Sequence, residues 1–187
     1  MSDLDLLRRY FAGGDRRDFA ALASRYEAPL LGLAHGLLSG RSDLAQDAVQ
    51  DAWMRVVRSG KHFEGKSSVK TWLYRIVINR CADLRARHAR RGAAEWSEDH
   101  AAAGTVPPLE AAAVVASEAS DCRAGLRRVM ETLPEGTRLI LLLCYHDGLG
   151  HDEAAEVLGL PVGTLKSRLG RALEELRSRP EMQEYRS

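Results

Sequence analysis

Between Lys61 and Arg91 the sequence interleaves rings with cations. Phe63, Trp72 and Tyr74 stand among Lys61, Lys66, Lys70, Arg75, Arg80, Arg85, Arg87, Arg90 and Arg91. Rings of this kind stack on unpaired bases for about 1–3 kcal/mol each, while cations hold the backbone, so the segment suits single-stranded nucleic acid. Arg75 and Asn79 are four residues apart and share a helix face. Asn79 offers a donor and an acceptor to one base edge. A bland alternative stands beside this one: Trp72 as core and Asn79 as a solvated amide.

A second constellation spans His151–Arg171. Asp152–Leu158 reads as a short helix with small Ala154 and Ala155, then Gly159 at a turn, then Leu160 and Pro161 leading into another helix. Val162, Leu165 and Leu169 give that helix an apolar back. Lys166, Ser167, Arg168 and Arg171 lie elsewhere on it. This is the layout of a helix-turn-helix, whose basic second helix fits a major groove. A plain helical hairpin with a solvated basic face has the same pattern.

The third runs Asp47-Ala-Val-Gln-Asp-Ala-Trp-Met-Arg55. Asp47, Gln50, Asp51 and Arg55 group opposite an apolar stripe, as a solvated face or as a surface for a partner helix.

Enzymatic chemistry finds little support. Gly148-Leu-Gly150 lacks the third glycine and the preceding strand of a dinucleotide fingerprint. His146 and His151 near Asp147 and Asp152 fall in a loop, where a metal site is disfavoured. No nucleophile and base stand at usable spacing. No cofactor and no catalytic residue are expected.

The elements that must position these groups are helical. Phe19, Leu22, Tyr26, Leu30, Leu33 and Leu37 recur at three- and four-residue steps. Ser42 and Asp43 are candidate caps for a helix reaching about Arg58, with Leu44, Ala48, Val49, Ala52, Trp53 and Val56 inward. Gly60 and Gly65 bracket a loop, and another helix is expected from about Val69 to Arg87. No strand-like alternation occurs, so the expected fold is all-α. The expected domains are 1–91, a linker at 92–116 rich in acids, Pro and Gly, and 117–187.

Across the 187 residues the net charge is only +1. Residues 1–91 carry +7, residues 92–115 carry −4, and residues 116–187 carry −2. The first block therefore suits a polyanion, while the last needs help to hold duplex DNA. Cys81, Cys122 and Cys144 are too scattered for a disulfide framework and read as buried thiols. No run approaches a membrane span, and no leader pattern opens the chain, so a cytoplasmic location without membrane insertion is expected.

Together the segments resemble the extracytoplasmic-function group of the sigma-70 family. The resemblance rests on Asp47–Val57 and Val69-Lys-Thr-Trp-Leu-Tyr-Arg-Ile76 in one block. In the other it rests on Leu133-Pro134 and Pro161-Val-Gly-Thr-Leu-Lys-Ser-Arg168. It implies two small helical domains, a region 2-like bundle and a region 4-like helix-turn-helix domain, joined by a linker. It also implies a non-enzymatic factor that takes core RNA polymerase to promoters and helps melt them. Asp47, Gln50, Asp51 and Arg55 then match the helix that docks on the β′ clamp helices. Residues 62–68 and Asn79 match the part that captures a flipped base of the −10 element. Phe63, Trp72, Arg75, Arg80 and Arg85 lie around it. Thr164, Lys166, Ser167, Arg168 and Arg171 match positions facing the −35 duplex. The β flap and an anti-sigma factor are implied as further partners. Gly170 departs from the pattern, because relatives often carry a bulkier residue there.

Overall fold

A computed structural model describes residues 1–95, 128–130 and 132–179, with side chains up to residue 90 in the first stretch. Among them there is no strand; residues 128–130 and 132 are helical, and seven α-helices have defined bounds. In chain order they are α1 Asp3–Gly13, α2 Arg16–Leu37, α3 Ser42–Ser59, α4 Val69–Glu95, α5 Glu135–Leu141, α6 His151–Leu158 and α7 Val162–Ser178. The chain divides into two compact units; the first holds α1–α4, the second α5 and α7.

The first unit is a four-helix bundle whose core follows from helical periodicity. Leu22, Leu30, Leu33 and Leu37 of α2 are buried against Ala45, Ala48, Val49, Ala52 and Val56 of α3. Leu73, Val77, Cys81 and Leu84 of α4 close it. Helix α1 was not anticipated from the hydrophobic pattern, although its start carries a signal. Ser2 Oγ accepts from the Asp5 amide at 3.2 Å, and the Asp5 carboxylate accepts from the Ser2 amide, a capping box. The Ser2 hydroxyl also donates to the Asp5 carboxylate at 2.6 Å, and this bond, with that from the Ser2 amide, holds the Asp5 carboxyl below its ordinary range. Asp3 anchors α1 to α2, accepting from Arg25 at 2.6 Å and from the Tyr26 hydroxyl at 2.5 Å. Burial, reinforced by the Asp3 bond, pushes the Tyr26 phenol upward.

Several expectations need correcting. Tyr74 is 1% exposed, so it belongs to the core and not to the row of stacking rings. It stands on the face of α4 that carries Leu73 and Val77, where burial outweighs any benefit of an exposed ring. Neither Ser42 nor Asp43 caps α3; the N-cap is Arg41, with no side-chain cap bond. Helix α4, expected to end at about Arg87, runs on to Glu95. Ala93 and Ala94 are strong helix formers and offset the cost of Gly92. The rest of the expected linker lies outside the described residues, as do Cys122 and residues 117–127. Cys81 is buried, but Cys144 is only half-buried.

In the second unit Pro134 precedes α5, which continues into a π-helical turn, Leu142–His146. Ile140, Leu141 and Leu143 of this run are buried, as are Leu165, Leu169 and Ala172 of α7. The backbone from α6 to α7 has the expected form: Gly159 turns at φ +64°, and Pro161 is the N-cap of α7.

Candidate nucleic-acid interface

The aromatic-basic segment begins where α3 ends. Gly60 opens a 3-10 turn, Gly60–His62, and its missing side chain matters. A Cβ there would stand 2.6 Å from Phe11 Cε2 and 3.5 Å from Trp72 Cη2. The close approach brings α1, this turn and α4 together around Trp72. Phe63 then stacks on Trp72, with ring centroids 4.8 Å apart and planes 32° apart. Both rings are half-buried, so Trp72 is partly packed and partly exposed. Gly65, at φ +72°, turns the loop, and Lys66 pairs with Glu64. Ser68 Oγ accepts from the Thr71 amide at 2.9 Å, a cap bond that starts α4 just after the loop.

Along α4, Trp72, Arg75 and Asn79 fall at steps of three and four, on one face. Asn79 is exposed, while Arg75 and Arg85 are half-buried. Arg80 has a defined partner, its Nη2 lying 2.5 Å from Asp51 Oδ2 on α3. Sequence reasoning placed these two residues in different interfaces; the fold joins them.

Asp47, Gln50, Asp51 and Arg55 are all exposed on α3. Beside them lies a groove between α2 and α3, walled by Leu31, Trp53, Met54 and Val57, with Gln46 and Gln50 at its rim. Met54 and Val57 are 43% and 40% exposed, outside the apolar stripe read from the sequence. Their signal was two apolar residues off the inward face. Trp53 is held at the groove wall by a 2.6 Å bond from its indole N–H to Glu27.

On α7, Lys166, Ser167, Arg168 and Arg171 are exposed and Thr164 is half-buried. Leu165 and Leu169 occupy the opposite, buried face. Arg171 folds back along the helix, with Nη2 3.2 Å from Ser167 Oγ. His146, near the start of α6, lies 2.7 Å from Asp147, whose hydrogen bond raises the imidazole pKa.

The family model of sigma-70 region 2 matches residues 22–91, and that of sigma-70 region 4 matches residues 123–176. The RNA polymerase sigma-H factor of Pseudomonas aeruginosa is 33% identical over 172 residues, covering 87% of this chain and 86% of that protein. The chain belongs to the extracytoplasmic-function group of the sigma-70 family.

This sigma factor is also 30% identical, over 169 residues, to the ECF RNA polymerase sigma-E factor of Escherichia coli strain K12. That match covers 87% of this chain and 86% of the relative. Its fold is that of CnrH, solved with the cytosolic domain of CnrY: TM-score 0.68, 24% identity, 99% of each chain covered. The sigma factor RpoE of Bartonella quintana, solved with the anti-sigma factor NepR, matches at TM-score 0.65 and 24% identity. There 84% of this chain and 93% of the other are covered. As a member of its family, the sigma factor directs RNA polymerase to promoters and is not an enzyme. It binds core polymerase and promoter DNA. Among the described residues no helix is long and apolar enough to cross a membrane.

Proposed function

We propose that this sigma factor reads the −10 element as single strand with the Trp72 face of α4 and the −35 element as duplex with the exposed face of α7. One observation carries the first half: Trp72, already stacked on Phe63, shares a helix face with Arg75 and Asn79. A base unpaired from the duplex loses stacking and pairing worth a few kcal/mol. The ring pair and the Asn79 amide offset that loss for the open form alone, which shifts the equilibrium toward melting. Arg75, Arg80 and Arg85 hold flanking phosphates. Thr164, Lys166, Ser167, Arg168 and Arg171 face the −35 duplex.

Asp47, Gln50, Asp51 and Arg55 dock on the β′ clamp helices, and the second domain meets the β flap. Residues 1–91 form the region 2 domain, 92–116 the linker and 117–187 the region 4 domain. The family-model matches at 22–91 and 123–176 support this division. The protein works in the cytoplasm, where the polymerase is. An anti-sigma factor is a further partner; two proteins of the same fold are solved with such a factor or a cytosolic partner domain. The apolar groove beside Gln50 suits a partner helix.

Run-off transcription with purified core polymerase and a promoter library tests the scheme. Start sites that depend on the chain, and opening that depends on Asn79, are expected. Opening by the Asn79→Ala protein at the unaltered rate would remove Asn79 from the −10 site.

A further inference from the structure

Gly60 closes α3, and nothing in its backbone calls for glycine. Its φ of −65° and ψ of −22° lie in the right-handed helical region open to every residue. A side chain there would also narrow the unfolded ensemble and favour the fold. What excludes one is a ring from another helix. A Cβ at Gly60 would stand 2.6 Å from Cε2 and 2.8 Å from Cζ of Phe11, closer than packed carbon atoms come. Phe11 is thus seated directly on the backbone of the turn.

Filling the bundle is not what Phe11 does. Leu6 and Leu7 are the residues of α1 that enter the core, 1% and 3% exposed, whereas Phe11 is half-buried. One helical turn beyond Leu7, its ring reaches the end of α3 instead. That seat is fixed from behind. The Tyr10 ring meets Phe11 edge-on with centroids 4.9 Å apart, and Tyr10 in turn rests on Phe19 of α2 at 5.0 Å. Asp3 pairs with Arg25, and Arg9 Nε lies 3.1 Å from the buried Asp18 carboxylate, so α1 is pinned to α2 at two points. The sigma-70 region 2 match begins at residue 22, so this support lies outside the segment matched to the family.

The turn beneath Phe11 carries the stacked rings. The Gly60 carbonyl accepts from the Phe63 amide at 3.0 Å, and the Ser68 carbonyl accepts from the Trp72 amide at 3.0 Å. These two bonds bracket the 62–68 loop. The Trp72 ring converges on the same place, its Cη2 lying 3.5 Å from the Cβ position at Gly60. Displacing the Phe11 ring therefore moves the Gly60 backbone, and with it Phe63 and the edge of Trp72.

We propose that Phe11 is a positioning residue for the −10 element. Seated in the space that Gly60 leaves, it sets the base of the 62–68 loop and the tilt of the Phe63–Trp72 pair, and through them the grip on the unpaired base. The proposal rests on the −10 reading of the Trp72 face. Its physical signature is reciprocity between two residues far apart in the chain. Bulk lost at position 11 and bulk gained at position 60 should each disturb the site, and together they should compensate.

The test uses holoenzyme assembled from core polymerase and the full chain, with a labelled single-stranded −10 oligonucleotide as probe. Phe11→Leu and Gly60→Ala should each lower its affinity severalfold, while the affinity of the sigma factor for core polymerase stays at the wild-type value. The double variant, in which the shorter Leu makes room for the new methyl group, should recover most of the loss. In protein labelled with fluorotryptophan, the fluorine resonance of Trp72, identified by its loss in Trp72→Phe, should move in each single variant and return in the double. Should Gly60→Ala by itself unfold, Phe11→Leu still reads the effect on the loop, and refolding in the double variant supports the fit. Wild-type oligonucleotide affinity in Phe11→Leu overturns the proposal. So does a double variant no better than the worse single one, or a loss of oligonucleotide binding matched by an equal loss of core-polymerase binding, which marks a merely structural residue. Failure of the −10 reading looks different: oligonucleotide binding would then be indifferent to Asn79→Ala, whatever positions 11 and 60 show.

Discussion

Arg80 and Asp51 form an ion pair at 2.5 Å that ties the helix proposed to read the −10 element to the helix proposed to dock on polymerase. The Arg80 side chain is 22% exposed and that of Asp51 49%. Arg80 Nε is buried without a hydrogen-bond partner, so Asp51 is the group that compensates this cation. A phosphate arriving at Arg80 must share it with Asp51 or displace it. The proposed polymerase contact at Asp51 and the proposed DNA contact at Arg80 would thereby be linked through one pair of side chains.

A double-mutant cycle should measure that link. Asp51→Asn and Arg80→Gln, alone and together, should give a coupling of about 0.5–1 kcal/mol in urea unfolding, the range for a partly exposed pair. Zero coupling would mean that the pair contributes nothing to the fold.

Asn79→Ala should separate two stages of initiation. Closed-complex affinity should be unchanged, because Asn79 is exposed and is assigned only to the unpaired base. The open fraction, followed by permanganate reactivity of unpaired thymines, should fall. Equal loss at both stages would contradict the assignment.

Lys166→Ala and Arg171→Ala address the −35 element. Each should lose about 1–3 kcal/mol of discrimination between the preferred site and a single-base variant if it contacts a base edge. Competition binding with holoenzyme gives the number. Uniform weakening across sequences would reassign the side chain to phosphate.

Gly170 is exposed in mid-helix on α7, and a Cβ there would meet nothing within 4 Å. Gly170→Ala should therefore stabilise the second unit by up to about 1 kcal/mol, the helix-propensity difference. Thermal melting checks it. A fall in −35 affinity despite higher stability would show that DNA needs the space that glycine leaves.

His146 supplies a pH dependence with a definite sign. Its hydrogen bond to Asp147 raises the folded pKa above the ordinary 6.5. The protonated pair therefore stabilises the fold fully below pH 6.5, and the gain fades as pH rises through the folded value. Melting temperature should decline across that window in the wild-type protein and stay flatter in His146→Asn. Parallel curves would rule out the pair as the source.

Much of this protein was determined by the sequence itself, wherever neighbours along the chain decide the outcome. The turn at Gly159, the start of α7 at Pro161 and the separation of Leu165 and Leu169 from Lys166 and Arg171 all follow from steps of three and four residues. So do the helical class and the exposed row from Asp47 to Arg55. Tertiary packing decided what depends on residues far apart in the chain. Tyr74 went inward because Leu73 and Val77 beside it face the core. Arg80 met Asp51 only because α3 and α4 pack together. The Phe63–Trp72 stack needed Gly60 to let α1 and α4 close on the turn. Periodicity names the face a side chain occupies; only the packed bundle says what it meets there.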